Sequence, residues 1–269
     1  MLFFGKKQPL ILRIGTVKFL NAKPLDWGFL YHYRIKYNST LKKYQYAITE
    51  DTPSRLIDAL LQGQIDIGMV SSIEVLKNRS ILNFYHKLGV CAKKKVQSIF
   101  YISKKSYLEP VKRVFLDISS RSSNGLLKIL YFKTFREFPE FIYEKPDVII
   151  KNINDHSSGI LIGDPAIELY LSRPTFQLKD LAEWWYELTQ LPFVFAVWAF
   201  PKKINFDLQI FEESYQVGSK SIKDIIQQYP FPKDFSYNYL TKNLHYQLGK
   251  EELESLNLYE KYLRELDLL

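Results

Sequence analysis

Four short loops hold the residues best suited to chemistry. They are Phe19-Leu20-Asn21-Ala22-Lys23-Pro24, Val70-Ser71-Ser72-Ile73-Glu74, Ser119-Ser120-Arg121-Ser122-Ser123-Asn124 and Ile162-Gly163-Asp164-Pro165-Ala166. Each follows an apolar run and precedes a helix-like pattern. A strand that enters a helix through such a loop aims free backbone N–H groups, with hydroxyl or amide side chains, at one point. That geometry binds carboxylates and phosphates. Four such loops predict a cleft for a small molecule that carries more than one negative charge.

Within these loops Asn21 is the first candidate for a catalytic contact, since its amide both donates and accepts. It also fits as a helix N-cap. Ser71 and Ser72 offer hydroxyls and N–H groups to one carboxylate, or simply cap a helix. Ser122 and Ser123 do the same from a second region. Arg121 pairs with a carboxylate or covers the surface. Gly163 and Asp164 complete the set. Asp164 is the one carboxylate placed directly at a cleft-facing loop, yet Asp before Pro at such a turn reads first as an N-cap. Glu74 falls inside its helix, where a lysine is the expected partner.

The elements that must position these loops follow from periodicity. Residues 10–16, 44–49 and 65–70 read as strands, with a helix after each. Asp51-Thr52-Pro53 starts the second helix and Gly63 stops it. This β-α-β-α-β-α order predicts an open sheet flanked by helices, with ligands at the carboxyl ends of its strands. A second unit starts near residue 103. Strands read at 111–117 and 159–162, and helices open at Ser120–Asn124 and Asp164-Pro165. Leu191–Phe200 reads as a strand buried on both faces. Residues 205–229, 234–247 and 250–267 read as mainly helical.

No Gly/Ser linker separates the units, so the chain crosses between them along 96–102 and 193–199. The expected fold is α/β and two-lobed, like the type II periplasmic binding proteins, each lobe a mixed sheet flanked by helices. Such lobes close on ligand by a hinge. Residues 1–98 with 200–269 form the first lobe and 99–199 the second.

Composition narrows the function classes. The chain has 269 residues, 46% of them hydrophobic and 25% charged, which suits a globular protein with a sizeable core. Its 37 basic and 29 acidic residues give a net charge of +8. They are scattered, and the longest basic run, Lys93-Lys94-Lys95, reads as a solvated turn, so no nucleic-acid partner is expected. The 19 Tyr and 19 Phe read as core residues. A single cysteine, Cys91, excludes an internal disulfide framework. His32, His86, His156 and His245 show no metal-ligand spacing, and no metal is expected. The apolar part of Met1–Lys7 is too short for a signal peptide, and no stretch is long enough to span a bilayer. A cytoplasmic location with no membrane partner is the expectation.

Five blocks then carry a family resemblance. They are Phe19–Leu25, Val70–Glu74, Leu116-Asp117 with Ser120–Ser123, Ile162–Ala166, and Leu191–Trp198. Together and in this order the set resembles the chorismate dehydratases of the futalosine route to menaquinone. The family usually has Thr where this chain has Ser122, and serine keeps the hydroxyl. The resemblance implies the two-lobed fold, no cofactor, and dehydration of chorismate to 3-[(1-carboxyvinyl)oxy]benzoate. It implies Ser98, in the first crossing strand, as a second catalytic contact beside Asn21. Phe193 would pack on the substrate ring, and Trp198 would be core. With few strong bases in the motifs, the substrate's enolpyruvyl carboxylate is expected to take the proton. The rivals are an enzyme like 1,4-dihydroxy-6-naphthoate synthase, on the same fold, and a small-anion-binding protein without catalysis.

Overall fold

The computed structural model describes residues 10–31 and 39–269. The N-terminal reading at Met1–Lys7 and the reading of His32 lie outside them. The first unit runs β1 (Leu10–Thr16), α1 (Lys23–Leu30), β2 (Tyr44–Glu50), α2 (Pro53–Leu61), β3 (Ile67–Ser71), α3 (Ser72–Lys77) and β4 (Leu82–Ala92). The chain crosses in β5 (Ile99–Ser103). The second unit continues with β6 (Arg113–Asp117), α4 (Arg121–Phe135), β7 (Glu140–Glu144), α5 (Pro146–Asn152), β8 (Ser157–Ile162), α6 (Asp164–Leu171), β9 (Gln177–Asp180) and α7 (Leu181–Thr189). It returns through β10 (Phe193–Pro201). Then come α8 (Gln209–Lys220), α9 (Ile222–Gln227), α10 (Lys233–Asn238), a π turn at Tyr239–Asn243, β11 (Leu244–Gln247) and α11 (Lys250–Glu265).

Two sheets result, ordered β11-β4-β10-β3-β1-β2 and β7-β6-β8-β5-β9. Each contains three parallel strands, β2-β1-β3 and β7-β6-β8, followed by one antiparallel crossing strand. The central strands β3, β5 and β8 are buried along their whole length. This explains why their apolar residues do not alternate with charged ones, since a strand covered on both faces has no solvent side. β1 by contrast has exposed positions at Leu10, Ile11 and Arg13.

Two expectations change. The second lobe was expected to end at residue 199, but this point falls inside β10, which pairs with β3 and β4 of the first sheet. We therefore propose that β10 belongs with the first lobe. Residues 234–247 were expected to be mainly helical, yet Leu244–Gln247 pairs with the edge of β4. Its alternation of buried Leu244 and Tyr246 with more exposed His245 and Gln247 has the period of a strand.

Lys93-Lys94-Lys95 forms an exposed turn between the sheets. Lys93 pairs with Glu251, Lys95 with Glu183, and Lys94 sits over the Tyr186 ring. The basic run thus lies on acidic and aromatic neighbours of this same chain.

Helix α1, which follows the Asn21 loop, is held by close approach to α8. A Cβ on Gly28 would lie 2.3 Å from Ser214 Cα, and one on Gly218 would lie 2.1 Å from the Pro24 carbonyl oxygen. Both obstacles are backbone, so neither can swing aside. Gly218→Ala must push α1 off α8, and overpacking of this kind costs about 1–3 kcal/mol. Urea unfolding should show a midpoint lowered to match. An unchanged midpoint would mean that this helix pair adapts freely.

Candidate functional site

Strand pairing sets two of the loops side by side in each sheet. β1 and β3 are parallel neighbours, with Ile14 opposite Ile67 and Gly15 opposite Gly68. The Asn21 loop and the Ser71-Ser72 loop therefore open from one edge. β6 and β8 are parallel neighbours too, so the Ser120–Asn124 and Gly163-Asp164 loops open from one edge of the second sheet.

Two contacts then cross between the sheets. The Phe19 ring lies against Gly163, where a Cβ would meet it at 3.1 Å. The Ser72 and Ser122 hydroxyl oxygens are 3.1 Å apart. The first loop thus meets the fourth and the second meets the third. All four close into one ring between the lobes.

On the Ser72–Ser122 side the polar groups are occupied by the protein itself. Ser72 Oγ donates to the Val194 carbonyl at 2.8 Å, and Ser122 Oγ accepts from the Ile73 N–H at 2.9 Å. Ser122 also offers its carbonyl to the Tyr259 hydroxyl at 2.9 Å. Ser120 is the N-cap of α4, and its hydroxyl bonds Ser123 Oγ at 3.1 Å.

Arg121 donates to Glu74 across the lobes at 3.1 Å, and the Glu74 side chain is only 4% exposed. Glu74 thus pairs with Arg121 and not with the expected lysine, because folding brings the start of α4 against α3. An unpaired carboxylate at such a depth would be costly, and the half-exposed Arg121 guanidinium supplies the partner that Glu74 needs. Phe193 departs from its expected place on a substrate ring. It is 1% exposed and packs on Trp185, Phe195 and Tyr259 in the core. Trp198 is core as expected. Ser71 is the N-cap of α3, but its side chain makes no capping bond.

The other side of the ring gathers Asn21, Ser98, Gly163 and Asp164. Asn21 lies within a 3-10 turn, Leu20–Ala22, whose N-cap is Phe19, so the N-cap reading fails and the amide is free for other work. Ser98 is fully buried at the crossing; its hydroxyl accepts from Tyr239 Oη at 2.8 Å, and its carbonyl accepts from the Gly163 N–H at 2.8 Å. Gly163 has φ +70°, and the Phe19 ring leaves no room for a side chain there.

Gly163, not Asp164, is the N-cap of α6. Asp164 occupies the first helical position, which overturns the N-cap reading. Burial, then the nearby Glu168, raises its carboxyl above the usual carboxylate range. Among the described residues no cluster of three or more His, Cys, Asp or Glu side chains is placed to hold a metal ion.

Several positioning residues were not read from the sequence. Tyr239 touches Ser98 and has Asn21 as a neighbour. Tyr229 donates to the Lys18 carbonyl at 2.7 Å and so ties down the first loop. Asp180 accepts from the Gln97 N–H at 2.7 Å and from Ala182 and Glu183, which anchors the crossing segment just before Ser98. Burial raises Asp180 to about 6.

Lys23 on α1 is buried between Asp26 at 3.2 Å and Glu50 at 2.5 Å. Its i,i+3 spacing from Asp26 was the only visible signal, and that spacing reads equally as a surface pair. Burial pushes Asp26 up to about 7, against the pull of Lys23.

Residues 12–265 match the family described as menaquinone biosynthesis. A chorismate dehydratase of Campylobacter jejuni is 28% identical over 264 residues, covering 94% of this chain and 98% of its own. One from Thermus thermophilus is 28% identical over 211 residues, covering 73% and 71%. Among solved structures, a protein from Archaeoglobus fulgidus superposes with a TM-score of 0.72 at 15% identity, covering 96% of this chain and 98% of that one. The alkanesulfonate-binding protein of Xanthomonas axonopodis pv. citri, bound to MOPS, gives 0.68 at 17% identity, covering 98% and 95%. The fold is that of the periplasmic binding proteins.

The Asp26 carboxyl sets a pH dependence. Its folded pKa is raised, so folding retains a proton that the unfolded chain releases above about 4. Stability from this group is therefore full below about 4 and is lost as pH rises toward about 7. Urea unfolding of wild type and Asp26→Asn should diverge over this window, wild type losing ground by at most about 1.4 kcal/mol per pH unit. Parallel curves would show that Asp26 is ionised throughout.

Proposed function

Because the chain belongs to the menaquinone-biosynthesis family, we propose that it dehydrates chorismate to 3-[(1-carboxyvinyl)oxy]benzoate, the entry step of the futalosine route. The observation that carries this reading is the closed ring of four loops. Chorismate has two carboxylates, and the ring presents helix N-termini and neutral donors from both lobes. In this reading Asn21 and Ser98 are catalytic, and Ser71, Gly163 and Asp164 lie against the substrate. Ser72, Ser122, Ser123 and Arg121 hold the lobes and reach substrate through their backbone or on opening.

The chemistry asks little of a strong base. A ring C–H bond breaks, its electron pair enters the ring, the C–O bond of the hydroxyl breaks, and the departing oxygen takes the proton as water. The product is aromatic, so the step runs strongly downhill. The enolpyruvyl carboxylate hangs beside the ring, accepts the proton when the loops hold it there, and passes it to the departing oxygen, which leaves as water. Asn21 donates to the leaving hydroxyl. Catalysis then rests on orientation and on fixed donors. The buried, unpaired Cys91 fits a reducing cytoplasm.

Mixing the purified protein with chorismate should yield the aromatic product by mass and ultraviolet absorbance. Unchanged chorismate would leave the anion-binding alternative, and turnover of a later intermediate instead would favour the naphthoate synthase alternative. Asn21→Asp keeps the size and removes the donor, so kcat should fall by about 10²-fold or more, a typical loss for one such donor. A near-normal rate would reject the Asn21 assignment. Asp164→Asn should retain most of kcat if the substrate supplies the base. Loss of more than about 10²-fold would move the base to Asp164.

A further inference from the structure

The C-terminal segment holds no motif, yet it sends one polar atom into the ring of loops. α10 ends in a π turn at Tyr239–Asn243, closed by the Leu244 N–H on the Tyr239 carbonyl. A π turn adds a residue to the helical register and is frequent at functional sites. Here it starts at Tyr239, whose ring is 1% exposed and stacks on Phe235, with centroids 5.8 Å apart and planes 9° apart. The ring is therefore fixed, and its hydroxyl comes to rest on Ser98 Oγ at 2.8 Å, with Asn21 as a neighbour.

Counting protons at this point settles the direction of each bond. A phenol has a single O–H to donate. Tyr239 Oη donates it to Ser98 Oγ at 2.8 Å. A hydrogen bond between the phenol and the neighbouring Asn21 would then have to run the other way, from the Asn21 amide N–H to the phenol oxygen. This fixes which end of the Asn21 amide faces Tyr239 and leaves its second N–H and its oxygen for other partners. It also turns the Ser98 proton away from Tyr239, toward a further acceptor. Burial keeps the phenol protonated, so it remains a donor at any working pH.

We propose that Tyr239 is a positioning residue for the dehydration: its hydroxyl locks the Asn21 amide and the Ser98 hydroxyl together in the orientation that serves the substrate. The proposal rests on the chorismate reading for its consequence in catalysis, but the lock itself is a property of the protein. Without it the Asn21 amide can rotate end for end, and Ser98 can spend its proton on protein. Binding of the two carboxylates would change little, while alignment of the leaving hydroxyl would suffer. Tyr239 thus acts through two other residues and makes no bond in the reaction.

Tyr239→Phe tests this, because it keeps the ring on Phe235 and removes the hydroxyl alone. With chorismate, kcat should fall by about 10- to 100-fold while KM stays within about threefold, the pattern of a lost transition-state interaction. In a Ser98→Ala background the same change should cost less than about threefold, since the partner is already gone. Wild-type kcat in Tyr239→Phe, or a full independent loss in the Ser98→Ala background, would overturn the proposal. A second readout needs no turnover. The Asn21 side-chain amide resonances of ¹⁵N-labelled protein should move in Tyr239→Phe, and resonances that stay in place overturn the lock whatever the kinetics show. Wild type that leaves chorismate unchanged sinks the chorismate reading, and the amide resonances still decide the lock.

Discussion

Two buried hydroxyls, Ser72 and Ser122, hold the halves of this protein face to face. One comes from the end of β3 and the other from the start of α4, and they meet at 3.1 Å. Each is also bound to backbone, Ser72 to the Val194 carbonyl and Ser122 to the Ile73 N–H. Removing either leaves a buried backbone or hydroxyl group without its partner, at about 1–3 kcal/mol. The Arg121–Glu74 pair lies beside this contact, and Tyr259 of α11 binds the Ser122 carbonyl from behind. The loop ring closes where these bonds close it.

This arrangement divides the four loops into a side that clamps and a side left for chemistry. Near Ser72 and Ser122 nearly every polar side chain is bound within the protein. Near Asn21, Gly163 and Asp164 several groups remain uncommitted. The buried cation that follows the Asn21 loop, Lys23, is committed to Asp26 and Glu50. The donors of the ring itself are amides, hydroxyls and backbone N–H groups. Neutral donors fixed by the fold can orient a dianion without the reorganisation that water would demand.

The C-terminal third of the chain supports both sides. Tyr229 holds the Lys18 carbonyl, Tyr239 meets Ser98, and α11 touches the second lobe through Ser255, whose hydroxyl accepts from Trp185 Nε1 at 3.0 Å. Helix α8 carries α1 at glycine-to-backbone distance. These elements have no role that a loop motif would reveal. They act by fixing where the motif-bearing loops stand.

The amino-acid sequence determined the four strand-to-loop-to-helix junctions, because small polar residues after an apolar run are a local signal. Hydrophobic periodicity likewise marked β1, β2, β3, β8 and β10 and the helices α1, α2, α3, α4 and α6, while α5 and α7 went unread. The order of elements implied two sheets, and the edge at which ligands gather followed from parallel pairing. Tertiary structure alone decided which hydroxyls are spent and which are free. Asn21 and Asp164 lost their capping roles because the N-caps fell at Phe19 and Gly163, a shift of one or two residues that periodicity cannot resolve. Phe193 went to the core because Trp185 and Tyr259 close over it from distant helices. Tyr239 and Asp26 were invisible because their partners are brought near only by folding, and a tyrosine or an i,i+3 charge pair looks the same in sequence whether it faces water or a site.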